Sequence, residues 1–334
     1  MSGDKIAETG YWDLRITNII ACPQCRLIQL DPMLSEEEMH SGCYAYHLME
    51  EAQTSPQELA KNLVRNYRRG ILFAMQIKKK GFQPSEILEY GPGSGYFTAG
   101  VQFVFPKAKV TIVDLVDEVI EQNRNVHGFL GFKGTPETFT LPGNKQFDLV
   151  IARDILEHVS DIGCMIRNVS ALLNPGGLFH FLTPNGREDV WKHHVTWSLF
   201  QKPSQLLINH VNYFDGKGSL KQLHDAQFHP IKYYTYQLKT TWRGKGWSMR
   251  PGQAEAIYSN ISAEKIIEEH QSDDNTVTFK KEEILNHWYL TTRYKWITYL
   301  YCLYMHEPLI KVNPAFNIGH EIYGLFTKQF DRNS

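Results

Sequence analysis

Short apolar runs alternate with amphipathic stretches over the middle of this 334-residue chain. Four runs are almost entirely apolar, as is typical of strands buried on both faces of a parallel sheet: residues 87–90, 110–114, 147–152 and 178–183. Helical patterns at 117–124 and 162–173 lie between them. This alternation predicts a doubly wound α/β fold with its ligand crevice at the carboxyl ends of the strands.

The flanking segments extend this prediction. Ser55-Pro56-Gln57-Glu58 is a capping sequence for a helix that runs to about residue 80. Residues 231–240 form another predicted strand, and residues 321–328 form the last, antiparallel strand. We therefore expect an insertion over 241–318, helical and rich in tryptophan and tyrosine around 281–305.

A glycine-rich turn follows the first predicted strand, in the run Glu89-Tyr90-Gly91-Pro92-Gly93-Ser94-Gly95. Glycine permits positive φ angles and a close approach of backbone to a ligand, and the N–H groups of the following helix can hold an anion. The next predicted strand ends at Asp114, where an acid can bind the two hydroxyls of a ribose. The two features together predict an adenosine compound as ligand.

The spacing narrows the choice of adenosine compound. A dinucleotide fingerprint requires a third glycine where this chain has Tyr96, and a Walker loop requires a lysine that this turn lacks. What remains is an acid, Glu89, two residues before the first glycine, which suits a ligand with an amino-acid end and a ribose. S-adenosylmethionine fits that description.

The chain resembles the class I S-adenosylmethionine-dependent methyltransferases, in the small-molecule branch that includes ubiquinone-biosynthesis O-methyltransferases. The stretches that carry the resemblance are the glycine turn, Asp114, Gly134-Thr135-Pro136-Glu137, the segment 147–159, Leu172-Leu173-Asn174-Pro175-Gly176-Gly177, and His210-Val211-Asn212-Tyr213-Phe214 with Ser219-Leu220. The resemblance implies a Rossmann-like, mostly parallel seven-stranded sheet.

The resemblance also implies a set of cofactor-binding residues: Glu89, Gly91, Gly93, Gly95, Tyr96, Asp114, Leu115, Thr135, Pro136 and Arg153. The chain departs from the family pattern at two of them. Arg153 stands where relatives often have a small or neutral residue, and Thr135 stands where an acid commonly contacts the adenine amine.

A hydroxyl acceptor must lose its proton during methylation, and histidine titrates close to neutral pH. The candidates for the catalytic base are His158, His193, His194 and His210. His158 follows the fourth core strand in the family pattern, and the adjacent pair follows the fifth.

The net charge of −1 offers no broad basic field for nucleic acid. No apolar stretch is long enough for a membrane span, and the first residues do not resemble a signal peptide. We therefore expect a cytoplasmic protein with a small-molecule acceptor, an oxygen acceptor being preferred to nitrogen or carbon.

Cys22-Pro23-Gln24-Cys25 can supply two ligands of a tetrahedral zinc site, and His40 and Cys43 could supply the others. The alternative is a degenerate knuckle in which the two cysteines only pack, since relatives with this N-terminal region have a second knuckle that this sequence lacks. Both alternatives, zinc and packing, stay open at this point.

The predicted organisation has four parts: an N-terminal appendage (1–50), the S-adenosylmethionine-binding core (51–240), the aromatic insertion (241–318), and the last strand with its tail (319–334). The insertion is either a lid over the crevice or a homodimer contact. The main functional hypothesis is a small-molecule methyltransferase. The alternative is a non-catalytic S-adenosylmethionine-binding protein that acts through a partner.

Overall fold

The computed structural model describes residues 4–10, 16–23, 27–35, 37–39, 56–141, 145–186, 190, 210–216, 218–236, 311, 313 and 321–329. The predicted insertion therefore lies outside the described residues, apart from Lys311 and Asn313.

In chain order, the strands are β1 (Asp4–Gly10), β2 (Ile16–Ala21), β3 (Ile28–Asp31), β4 (Glu86–Tyr90), β5 (Lys109–Asp114), β6 (Leu130–Lys133), β7 (Phe147–Arg153), β8 (Leu173–Pro184), β9 (Asn212–Tyr213), β10 (Phe228–Tyr236) and β11 (Glu321–Lys328). The helices are α1 (Pro56–Lys79), α2 (Tyr96–Val104), α3 (Asp117–His127), α4 (Ile162–Leu172) and α5 (Gly218–Asp225). Among these described helices, none has both the length and the apolar character needed to cross a bilayer.

The central sheet has seven strands in the order β10-β11-β8-β7-β4-β5-β6. Strands β4 to β8 pair in parallel, and β11 pairs antiparallel with both β8 and β10. The mostly parallel, doubly wound sheet is thus confirmed, and so is the antiparallel last strand. The strand order changes direction beside β4, which puts the crevice at the carboxyl ends of β4, β5 and β7.

Both faces of this sheet are covered, as the continuous apolar runs require. Side chains of α1 and α2 pack on one face against residues such as Ile87 and Ile112. Side chains of α4 and α5 pack on the other face against residues such as Leu88 and Val150. Because neighbours along a strand point to opposite faces, one short strand supplies both cores.

Two strands differ in extent from the sequence prediction. Strand β8 begins at Leu173 rather than at 178. Leu173 already pairs with Phe147 of β7, and the Asn-Pro-Gly-Gly segment that follows causes a register shift before Leu178 pairs with Leu149. Strand β10 begins at Phe228 rather than at 231, and residues 237–240 lie outside the described part.

A second, antiparallel sheet has the strand order β1-β2-β3-β9. Its fourth strand comes from the predicted core segment, since Ile28 pairs with Tyr213 and Gln29 pairs with Asn212. Ile19, Ile28 and Tyr213 are buried together in a separate apolar cluster. The N-terminal segment is therefore joined to the core next to His210.

The amino-terminal ends of β4, β7 and β8 are tied together by Asp148. Its Oδ2 accepts hydrogen bonds from the Ser85 N–H at 2.8 Å, the Ser85 hydroxyl at 2.7 Å and the Glu86 N–H at 3.0 Å. Its Oδ1 accepts from Asn174 Nδ2 at 2.9 Å. These hydrogen bonds outweigh partial burial and lower the pKa of Asp148 below its usual value.

We predict that Asp148→Ala lowers the free energy of unfolding by about 1.5–3 kcal/mol at pH 7, because charge-assisted hydrogen bonds are lost. The lowered pKa makes the contribution of Asp148 present above its unfolded-state pKa, so the difference from wild type should shrink as the pH falls below about 4. Urea unfolding at several pH values measures this difference in the free energy of unfolding.

Asp117→Ala, which removes an exposed ion pair with Lys133, is the control and should change the free energy of unfolding by less than about 1 kcal/mol. Equal effects of the two changes would contradict this account.

Candidate functional site

The three glycines of the turn after β4 all have left-handed backbone, with φ of 55°, 51° and 73° at Gly91, Gly93 and Gly95. A Cβ atom at Gly91 would overlap Ile155 Cδ1, and one at Gly95 would overlap Asn123 Oδ1. A Cβ atom at Gly93 would meet no described atom within 4 Å. Two glycines thus permit close packing of the protein, and Gly93 borders the space that a ligand can enter.

Helix α3 holds the turn in place from one side. Asn123 Nδ2 donates to the Gly93 carbonyl at 2.8 Å and to the Val119 carbonyl at 2.9 Å. His127 Nε2 lies 2.9 Å from the Ser94 carbonyl oxygen. Asn123 and His127 are buried, and sequence reasoning missed both. The sequence signal for them was that two polar residues lie on the face of helix α3 that is otherwise apolar.

Glu89, the second-last residue of β4 before the glycines, is only 3 % exposed. Burial raises the pKa of its carboxyl to about 7, with Thr98 and Arg153 opposing the rise and the charge of Asp114 adding to it. Within the described residues, no group donates a hydrogen bond to its buried Oε2. A buried acceptor of this kind fits the ammonium group of an amino-acid ligand.

Asp114 ends β5, the strand next to β4 in the sheet. Its Oδ1 accepts a hydrogen bond from the Val116 N–H at 2.9 Å, which fixes the carboxylate at the carboxyl edge of the sheet. Leu115 is half-buried in the bend between them. The Gly91 N–H donates to the Val113 carbonyl at 2.9 Å, so the glycine turn and the Asp114 bend are directly connected.

The segment implied to flank adenine begins beside Asp114, whose carbonyl accepts a hydrogen bond from the Gly134 N–H at 3.0 Å. Thr135 Oγ1 lies 2.9 Å from Thr138 Oγ1, and the Pro136 carbonyl accepts from Asn168 Nδ2 at 2.8 Å. These contacts hold the two residues in a short turn next to the bend after β5.

The acid of this segment, Glu137, accepts hydrogen bonds at Oε1 from the Ser160 N–H at 2.8 Å and its hydroxyl at 3.0 Å. Its carboxylate therefore ties the turn after β6 to the turn after β7.

Two predicted cofactor contacts have side chains that face the core or a cavity. The ring of Tyr96 is buried edge-on against His127, with centroids 4.8 Å apart, and burial raises the pKa of its phenol to about 12. The Arg153 guanidinium lies over the Phe97 ring, 4.1 Å from its centroid. Tyr96 is also the first residue of α2, so its backbone N–H belongs to the first turn of that helix.

A cavity opens beside Arg153, between α1 and the strands β8, β10 and β11. It has a volume of about 70 Å³. Arg69 and Arg153 contribute positive charge to it, and its walls are largely aromatic, with Phe73, Phe97, Tyr234, Tyr236 and Tyr323.

The turn after β7 contains a second polar group, the cluster of Glu157, His158 and His210. One ligand atom from each side chain lies within 4.8 Å of the others. Glu157 Oε1 is 3.9 Å from His158 Nε2, and the two imidazole rings have centroids 5.2 Å apart at 72°. Thr183 donates from its hydroxyl to Glu157 Oε2 at 3.0 Å.

Backbone contacts fix the spacing of this cluster. The Glu157 carbonyl accepts from the Val211 N–H at 2.8 Å and the Asn212 N–H at 3.1 Å. The Asn212 side chain donates to the Val159 carbonyl. His210 is thus held against the turn after β7 by its own neighbours along the chain.

Glu157 is 2 % exposed. Burial and the nearby Asp154 carboxylate raise its pKa to about 8, and His210 and Thr183 oppose that rise. Ile155, two residues before it, is the side chain that packs against Gly91. The cluster and the glycine turn therefore share one packed edge of the sheet. Sequence reasoning singled out the two histidines but missed Glu157.

The structure describes only some of the remaining predicted site residues. His193, His194 and Cys25 lie outside the described residues, as do His40 and Cys43. Cys22 directly follows β2 and is half-buried. The zinc knuckle therefore stays a prediction.

Comparison with known proteins identifies the family of the chain. A family model described as a methyltransferase domain matches residues 59–233. A malonyl-[acyl-carrier protein] O-methyltransferase of Legionella pneumophila is 29% identical over 105 residues, which cover 30% of this chain and 36% of the relative. A ubiquinone biosynthesis O-methyltransferase of Colwellia psychrerythraea is 31% identical over 113 residues, which cover 32% of this chain and 45% of the relative. The chain thus spans under half the length of these curated relatives.

Among solved structures, the YcgJ protein from Bacillus subtilis is similar with a TM-score of 0.42 and 16% identity, over 77% of this chain and 99% of that one. The family model spans more than half of the present chain and includes both the glycine turn and the cluster after β7. The chain therefore belongs to the methyltransferase domain family, with S-adenosylmethionine as its cofactor.

Proposed function

We propose that this protein transfers the methyl group of S-adenosylmethionine to an oxygen atom of a small-molecule acceptor. The observation that carries the proposal is the packing of Ile155 against Gly91, because it brings the turn with Glu157 and His158 next to the glycine turn. The cofactor turn and a set of oxygen-activating side chains are thus neighbours.

Three features of the glycine turn support the binding mode of the cofactor. Gly93 borders open space, Glu89 offers a buried acceptor for an ammonium group, and Asp114 presents a carboxylate where a ribose would lie. The first turn of α2 adds backbone N–H groups that suit the carboxylate of the methionine end. Thr135 and Pro136 would flank the adenine.

When bound, the cofactor supplies an activated methyl group on a sulfonium, whose carbon–sulfur bond breaks as the acceptor bond forms. The protein's contribution is then to orient the acceptor and to exclude water, and orientation can supply about 7–11 kcal/mol. An oxygen acceptor must also lose its proton. The Glu157–His158–His210 cluster supports this step, since its imidazole and carboxylate groups lie within 4.8 Å of one another.

The cavity beside Arg153 offers a subsite for part of a small-molecule acceptor. Leu182 lines this cavity and the adjacent Thr183 contacts Glu157, so the cavity and the cluster flank the carboxyl end of β8 from opposite faces. Two arginines and several aromatic rings favour an acceptor that is planar or carries negative charge. The names of the two relatives, both O-methyltransferases, also favour oxygen.

The proposal is tested by release of S-adenosylhomocysteine from the full chain with phenols, catechols and carboxylic acids as acceptors. We expect at least one class to give turnover above the acceptor-free rate. Tight S-adenosylmethionine binding without turnover on any class would favour the alternative, a binding protein of methyltransferase fold.

We predict that Gly93→Ala weakens S-adenosylmethionine binding at least tenfold while the protein stays folded, because the new methyl group enters the ligand space. Gly128→Ala is the matched control, since Gly128 has a similar φ of 74° and equally open surroundings but lies at the far end of α3. Calorimetric titration measures both affinities. Similar losses in the two variants would contradict a ligand at Gly93.

We predict that Asp114→Asn costs about 1.5–3 kcal/mol of S-adenosylmethionine affinity, the usual value of a hydrogen bond to a charged group. The amide keeps an oxygen that can accept from Val116 N–H, so the bend should hold its shape. Equilibrium binding with the 2′-deoxyribose analogue completes the test. Wild type and Asp114→Asn should bind the 2′-deoxyribose analogue with similar affinity, because the analogue lacks one of the hydroxyls that Asp114 would bind. If the substitution weakens binding of both ligands equally, the ribose contact is contradicted.

We predict that cofactor binding releases protons near pH 7. The pKa of Glu89 is about 7 before binding, and an ammonium group beside it would lower that pKa, so about half a proton should leave at pH 7. Calorimetry in buffers with different ionisation enthalpies measures the release. Glu89→Gln should abolish it. Identical apparent enthalpies for wild type in all buffers would contradict the ammonium contact.

A further inference from the structure

Two arginine side chains line the cavity beside Arg153, and no acid of the described chain neutralises them directly. Arg69 comes from α1, and Arg153 is the last residue of β7. Among the ion pairs between described residues, none includes either guanidinium. Two cations that line the same small space repel each other, so an anion bound between them would offset this repulsion.

Two lysines add positive charge around the same cavity. Lys232 Nζ donates to Oε1 of Gln76, a residue of the cavity wall, at 2.7 Å. Lys311 Nζ lies 5.0 Å from the ring centroid of Tyr234, which also belongs to the wall. A concentration of cations around one opening raises the local concentration of anionic ligands.

Two acids oppose these cations only in part. The Tyr236 hydroxyl donates a hydrogen bond to Glu321, so this carboxylate is directed to the wall of the cavity. Glu89 interacts electrostatically with Arg153, but its pKa of about 7 leaves it partly protonated at neutral pH. The balance of charge around the cavity is therefore positive.

A neutral imidazole completes the wall. His180 is 2 % exposed, and burial lowers its pKa to about 3 despite its contact with the Gly324 carbonyl. Its Nδ1 lies 2.9 Å from that carbonyl oxygen, so Nδ1 carries the hydrogen. The ring also stacks on Phe73, with centroids 4.4 Å apart at 23°. His180 thus adds a flat surface to the cavity, and the arginines alone supply its positive charge.

The shape of the cavity favours a carboxylate as the anion. The Tyr234 and Tyr323 rings stack with centroids 4.7 Å apart at 6°, so this wall is flat. The volume of about 70 Å³ is that of roughly two water molecules at about 30 Å³ each. A planar carboxylate fits this space and the guanidinium fork, whereas a tetrahedral phosphate ester is bulkier. The rest of such a ligand would extend through the mouth of the cavity.

The position of the cavity points to the acceptor rather than to the cofactor. Apart from Arg153, the strand residues of its wall come from β8, β10 and β11. The strand order places β8 two strands from β4, and β11 and β10 farther away. Neighbouring strands are about 4.8 Å apart, so most of the cavity lies roughly 10 Å or more from the glycine turn. The amino-acid end of the cofactor belongs at that turn.

We propose that Arg69 and Arg153 bind a carboxylate of the acceptor in this cavity, so that the acceptor carries a carboxylate besides the oxygen that is methylated. The assignment to the acceptor rests on the proposed function, and the binding of a carboxylate does not. In the reaction, the carbon–sulfur bond of the cofactor breaks as the new carbon–oxygen bond forms. The hydroxyl proton passes to the cluster after β7, and the bound carboxylate stays unchanged.

The first experiment titrates the full chain, saturated with S-adenosylhomocysteine, with benzoate and with benzamide, followed by calorimetry. Benzamide keeps the shape of benzoate and lacks its charge. We expect benzoate to bind at least tenfold more tightly. Arg69→Gln should remove this difference, and Arg69→Lys, which keeps the charge, should retain part of it. Equal affinities of the wild-type protein for the two probes, or tighter binding of inorganic phosphate than of benzoate, would overturn the carboxylate site.

Arg65→Gln is the matched control, because Arg65 lies one turn earlier on α1, is exposed and does not line the cavity. It should bind benzoate like wild type. Similar losses in Arg65→Gln and Arg69→Gln would overturn the site, since they would reflect only the reduced charge of α1. If Arg69→Gln does not fold, the comparison of the two probes on the wild-type protein and the Arg69→Lys variant decide.

The cofactor's own carboxylate is the other possible occupant, and the same variants distinguish it. Arg69→Gln should leave the affinity for S-adenosylhomocysteine unchanged, and benzoate should bind to the saturated protein. A tenfold loss of S-adenosylhomocysteine affinity in Arg69→Gln, or displacement of benzoate by S-adenosylhomocysteine, would overturn the assignment to the acceptor.

The second experiment compares S-adenosylhomocysteine release with hydroxybenzoates and with the matching hydroxybenzamides. We expect the acids to have at least tenfold higher kcat/KM, and Arg69→Gln to remove this preference mainly through KM. An acceptor without a carboxylate that reacts as fast as the best acid would overturn the proposed subsite and leave the proposed function intact. Failure of the wild-type protein to bind S-adenosylmethionine would instead overturn the proposed function, whatever the benzoate titration gives.

Discussion

The left-handed backbone of the glycine turn is the constraint on which the rest of the site depends. Helix α3 packs against one side of it through Asn123, and the turn after β7 packs against the other through Ile155. A side chain at Gly91 or Gly95 would force one of these neighbours away. The turn therefore fixes the positions of α3 and of the turn after β7, which contains Glu157 and His158.

Much of the fold could be predicted from the sequence because its signals are local. Buried parallel strands appear as continuous apolar runs, and the turn between β4 and α2 requires glycines at fixed spacing. The family assignment, the mostly parallel sheet and the antiparallel last strand were confirmed on this basis. The predicted start of β8 was wrong, because an Asn-Pro-Gly-Gly sequence is typical of a loop. In this protein the residues on both sides of it pair with β7.

The features that sequence reasoning missed depend on contacts between distant segments. Glu157 reads as one more surface acid, and only the docking of Val211 and Asn212 onto its carbonyl brings His210 to it. In the same way, β9 is too short to predict, although it joins the N-terminal sheet to the core. Asn123 reads as a helix-surface amide, and its bond to the Gly93 carbonyl exists only in the packed structure.

The central claim is that the glycine turn and the Glu157–His158–His210 cluster face one reaction site. A crystal structure of the full chain with S-adenosylhomocysteine tests it most directly. We expect the ribose hydroxyls on Asp114, the amino group at Glu89, and the sulfur directed across Ile155 toward the cluster, with space for an acceptor between them. A ribose bound elsewhere, or protein side chains filling the space between sulfur and cluster, would contradict it.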